Sequence, residues 1–64
     1  MKTIEERKAE LKLFFTSLYY NAVDYGEVRI LEGMENDLNK TNDINKFIKL
    51  NRLEKPFKEF MAEN

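Results

Sequence analysis

Between residues 4 and 25 the large apolar side chains fall at two opposed helical phases. At about 100° per residue, Ile4, Leu11, Phe14, Phe15, Leu18, Ala22 and Tyr25 gather on one broad face, which predicts the core side of a first helix. Ala9, Leu13, Thr16, Tyr20 and Val23 fall on nearly the opposite side at spacings of four, three, four and three. That rhythm is the seam of a coiled-coil-like contact. Thr3 and Glu6 have the capping-box spacing and predict a helix start near residue 4.

Asp24 and Glu27 repeat the cap-to-third-residue spacing, and Gly26 disfavours continuation of a helix, so a break is expected at about residues 23 to 26. A second helix then carries Val28, Leu31, Met34 and Leu38 as its apolar stripe, with Ile30 on the flank and Gly33 on the polar side. The short polar side chains of Asn39, Lys40, Thr41, Asn42 and Asp43 compete with helical backbone bonding and predict a loop. A third stripe follows, with Ile44, Phe47 and Ile48 drifting toward Leu50 and Leu53. Pro56 lacks a backbone donor and biases Lys55 away from the helical region, so the third helix is expected to end or kink there. Pro56 would then open a short fourth turn holding Phe57, Phe60 and Met61. The expected fold is all-α, a single domain over residues 1–64: a small three-helix bundle, or a helical hairpin plus a third helix, with a short fourth turn after Pro56.

Composition narrows the function classes. At 64 residues the chain buries only about 60% of its unfolded surface, so its core is marginal and association would help it. The absence of Cys closes off disulfides and thiolate metal sites, and a net charge of -1 lacks the cationic field of a typical nucleic-acid binder. The opening MKTIEERK enters a charged amphipathic pattern with no apolar signal region. No apolar run approaches the roughly 20 residues needed to span a bilayer. The sequence therefore reads as a complete small cytoplasmic gene product with no membrane partner.

With no His in the chain, Ser17 has no partner for triad chemistry. Glu27, Glu32, Glu35 and Asp37 crowd the second helix, but on a solvated face rather than in a cleft. No Gly-rich phosphate loop is present. The expectation is a non-enzyme with no catalytic residues, no metal site and no cofactor. The acidic second helix invites comparison with the small two-helix aspartyl-phosphate phosphatases of sporulating bacteria. Leu31, Glu32, Gly33, Met34 and Glu35 lack the Ser, Gln and Asp of their Ser-Gln-Glu-Leu-Asp motif. The likeness is confined to helix length and hydrophobic spacing, and no activity is carried over.

A helix-turn-helix reading would use Asn42, Asn45, Lys46, Lys49 and Arg52 as phosphate or base contacts. Against it, Lys46, Lys49, Arg52, Lys55 and Lys58 recur every three residues, so on one continuous helix they spiral round, and the acidic second helix repels phosphate. Nucleic acid is therefore the lesser alternative. The leading reading is a protein-binding regulator or inhibitor, self-associating or seated on another protein, in the general style of small intracellular and phage-encoded inhibitors. Ala9, Leu13, Thr16, Tyr20 and Val23 would form the contact. The competing expectation is that the third helix or the Phe57, Phe60, Met61 segment folds back and covers them inside the monomer.

Overall fold

A computed structural model describes residues 2–63. Four helices follow one another: α1 (Ile4–Tyr20), α2 (Tyr25–Lys40), α3 (Ile44–Leu50) and α4 (Glu54–Glu63). The domain is all-α, as the periodicities predict, and among the described residues there is no strand.

The helix starts obey local chemistry. Glu6 N donates to Thr3 Oγ1 at 3.1 Å while the Glu6 carboxylate takes Thr3 N at 3.2 Å, completing a capping box on α1. Asp24 caps α2 by accepting from Glu27 N at 2.9 Å, and the Glu27 carboxylate reaches back to Val23 N at 2.9 Å. Asp43 caps α3 by accepting from Lys46 N at 3.0 Å. Each cap satisfies an amide that has no partner within its own helix.

The ends depart further from expectation. The first helix stops at Tyr20 and the connection occupies residues 21–24, so Tyr25 opens α2 instead of extending the core face of α1. It is therefore exposed, and so is Ile4, which sits on the terminal turn of α1 outside the core cluster. Asn39 and Lys40 belong to α2, which leaves only residues 41–43 as the loop. There the Thr41 side chain takes Asp43 N at 3.2 Å.

Pro56 does not end α3. That helix closes at Leu50, through bonds from Arg52 N to Lys49 O at 3.1 Å and from Leu53 N to Ile48 O at 2.9 Å. This is the Schellman pattern, with Arg52 in the left-handed conformation at φ 55°. The apolar contact that accompanies such a cap is present, because Ile48 and Leu53 are both in the core. Helix α4 then starts at Glu54, and Pro56 sits third in it. A first-turn amide has no helical acceptor in any case, so the missing N–H is harmless there. The expected short turn is a ten-residue helix.

The core is built around α1. Leu11, Phe14 and Phe15 meet Leu38 of α2, Ile44, Phe47 and Ile48 of α3, and Leu53 of the corner. Phe15 packs edge-on to Phe47 with ring centroids 6.3 Å apart, and Phe14 lies 5.5 Å from Phe57 and 5.4 Å from Phe60. Thus α4 covers the Phe14 side of α1, and α2 and α3 cover the Leu11 and Phe15 side. Polar ties reinforce this arrangement: Arg7 donates to Asn45 Oδ1 at 2.7 Å, and Lys8 donates to Asn39 O near the C-terminal end of α2 at 3.3 Å.

Candidate interaction surface

On α1, the residues that pack inward fix the direction in which the others point. With Leu11, Phe14, Phe15 and Leu18 turned to the three neighbouring helices, the 100° helical step sends Ala9, Leu13, Thr16 and Tyr20 to the far side. All four are exposed, Leu13 at 65% and Tyr20 at 92%. Neither α3 nor the Phe57, Phe60, Met61 segment folds over them. Phe57 and Phe60 instead pack against the core.

Val23 is 82% exposed but belongs to the connection between α1 and α2. Helical spacing therefore does not place it in line with the other four. Its backbone amide is held by Glu27, which anchors the chain at that point.

The polar atoms of this face carry little desolvation cost. Thr16 Oγ1 donates to Lys12 O at 3.0 Å, so its hydroxyl hydrogen is satisfied within the helix, and a contact made through the rest of the side chain strands no donor. Ala9 and Leu13 have no polar side-chain atom. Tyr20 offers an apolar ring with a hydroxyl tip, a combination enriched at interfaces. Among the described residues, one ion pair borders the face and joins Lys2 and Glu10.

Tyr19, one residue before Tyr20, lies on the inner side of the helix. Its hydroxyl donates to Glu35 Oε1 at 3.4 Å. Desolvation by burial, and then the negative charge and hydrogen bond of Glu35, push its phenol above the ordinary tyrosine value.

The acidic residues of α2 do not converge. Glu27 is engaged at the helix start, Glu35 is half-buried beside Tyr19, and Glu32 and Asp37 are exposed. Among the described residues no group of three or more His, Cys, Asp or Glu side chains is placed to hold a metal ion. No helix there is long and apolar enough to cross a membrane.

The residues of the helix-turn-helix alternative are dispersed. Only Asn45, Lys46 and Lys49 lie on α3, while Asn42 is in the loop before it and Arg52 is in the corner after it. Asn45 is occupied by Arg7. The corner does have one effect that a continuous wheel conceals: it brings Lys49 and Lys58 together with Arg7. These basic residues and Glu54 edge an open groove of about 580 Å³ that is also lined by Ile48, Phe57 and Met61. A smaller hollow of about 300 Å³ lies between Leu18, Asn21, Glu27, Ile30 and Leu31.

No family model, no curated protein and no solved structure matches this chain.

Proposed function

We propose that this protein is a small cytoplasmic binding module that acts by occupying a protein surface, as a regulator or inhibitor, and that it self-associates through the outer face of α1. The observation that carries the reading is the exposure of Leu13 and Tyr20, in register with Ala9 and Thr16, on a helix whose opposite side supplies Leu11, Phe14 and Phe15 to the core. Side chains of this size stabilise a contact by roughly 1.5 to 3 kcal/mol each when fully buried. Exposing them in line on one helix forgoes that gain unless a second surface covers them.

Two features weigh against the nucleic-acid alternative. The candidate recognition helix is only seven residues long, and its Asn45 already bonds Arg7. Catalysis has little support, since the carboxylates of α2 share no cleft.

The deciding experiment replaces both large residues, Leu13→Glu with Tyr20→Lys, and measures mass in solution by sedimentation together with helicity by circular dichroism. The wild-type chain should populate a dimer as its concentration rises, and the variant should remain monomeric with unchanged helicity. A wild-type chain that stays monomeric throughout, or a variant that loses its helicity, would end the self-association reading.

A further inference from the structure

Granting the self-association proposed above, we infer that two copies pair their α1 helices antiparallel, with Leu13 facing Thr16 and Ala9 facing Tyr20 across a two-fold axis level with residues 14 and 15. The reason lies in the order of sizes along the exposed row: small Ala9, large Leu13, small Thr16, large Tyr20. Leu13 and Tyr20 are seven apart, as are Ala9 and Thr16, so large and small residues occupy alternate heptad positions.

In a parallel, in-register pair each residue meets its own copy. Leu13 would stack on Leu13 and Tyr20 on Tyr20, while Ala9 and Thr16 would each face their own small counterpart. Crowded and empty levels would alternate, against the interdigitation that close packing demands. Reversing one helix pairs every level as one large and one small side chain. Four such levels arise from four residues, since the two-fold repeats each pairing, and the contact is self-complementary in the way an isologous dimer requires.

The flanking charges point the same way. Glu5, Lys12 and Tyr19 border the row on one side, and Glu10 and Ser17 border it on the other. Parallel pairing sets each flank residue against the one five positions later on the second copy, so Glu5 opposes Glu10 twice. Antiparallel pairing sets Lys12 beside Tyr19 and Glu10 beside Ser17, with no like charges opposed. Because Lys2 already engages Glu10, the charge term is softened and the size match is the heavier argument. Thr16 fits its place opposite Leu13, because its hydroxyl hydrogen is satisfied by Lys12 O.

The paired stretch, residues 9 to 20, is short. It extends about 17 Å at 1.5 Å per residue, and the contact falls at or below the lower end of specific interfaces, about 1,200 Å². The dimer is therefore weak and must be observed at high concentration.

The chain contains no Cys, so Glu5→Cys accepts a single spin label at an exposed position outside the row. In the antiparallel pair residue 5 lies opposite the level of residue 24, which separates the two labels by about 30 Å along the axis. Side-by-side parallel helices would hold them about 10 Å apart. The experiment measures the label-to-label distance with sedimentation on the same sample, then repeats both with Leu13→Glu added. A distance near 30 Å that vanishes with Leu13→Glu is the expected result. A distance near 10 Å overturns the antiparallel arrangement and leaves self-association standing. Sedimentation of a monomer at every concentration removes self-association itself. A dimer that persists with Leu13→Glu places the contact elsewhere and overturns the pairing.

Discussion

One helical step of about 100° separates Tyr19 from Tyr20, and it turns the first phenol toward Glu35 of α2 while leaving the second in water. A tyrosine held protonated by partial burial and a neighbouring carboxylate titrates above the ordinary value of 10.0. The folded state binds that proton more firmly than the unfolded state does. Its contribution to stability is therefore complete below pH 10 and is lost as pH rises through the higher folded value. Phenolate absorbance followed through an alkaline titration, wild type minus Tyr19→Phe, should show one group ionising above pH 10; a difference curve centred at or below 10 would mean the Glu35 contact is not made in solution. The sequence indicated that the tyrosines cluster at one helix end. It could not indicate that Tyr19 meets Glu35, because that pairing depends on how two helices cross. Thr3 with Glu6 and Asp24 with Glu27 were legible for the converse reason: their bonds span three residues and depend on local geometry alone.

Among whole elements, the number and type of the helices followed from periodicity, and the closure of α3 did not. A Schellman closure is announced in sequence by glycine, and here Arg52 occupies the left-handed position. With that signal missing, Pro56 is the next stop sign along the chain, and sequence alone places the boundary too late. The same substitution leaves a measurable strain. An L-residue in the left-handed region is disfavoured by roughly 1 to 2 kcal/mol, partly offset in a glycine variant by the greater freedom of its unfolded chain. Arg52→Gly should therefore raise stability by about 0.5 to 1 kcal/mol in a denaturant midpoint measurement. A midpoint that falls would show that the Arg52 side chain contributes more than its backbone loses. Gly33 offers a parallel case inside α2, where an added Cβ meets nothing within 4 Å. Gly33→Ala should stabilise by about 0.5 to 1 kcal/mol. Gly26→Ala should gain less, since its Cβ would crowd the capping Asp24 Oδ1 at 3.2 Å.

For the molecule as a whole, the governing quantity is how little stability 64 residues can hold. At 0.05 to 0.15 kcal/mol per residue the total is about 3 to 10 kcal/mol. Truncating a buried phenylalanine costs about 3 to 5 kcal/mol, and Phe15 is fully buried. Phe15→Ala should accordingly lose about a third of the total stability or more, read as a large fall in the melting temperature or the loss of a cooperative transition. The outer row of α1 was legible in sequence as a second apolar edge, while its being uncovered was not, because periodicity assigns a residue to a face and says nothing about what lies over that face. If copies pair through this row, association adds to folding stability by mass action, and the melting temperature must climb as protein concentration is raised. The test has an internal control. Leu13 is 65% exposed in the single chain, so Leu13→Glu should leave the melting temperature of a dilute sample nearly unchanged and abolish its rise with concentration. Core residues cannot give that combination, since changing them lowers the melting temperature at every dilution. Equal melting temperatures for the wild-type chain in dilute and concentrated samples would mean that the exposed row contributes nothing through self-association, and that the small core alone holds the fold.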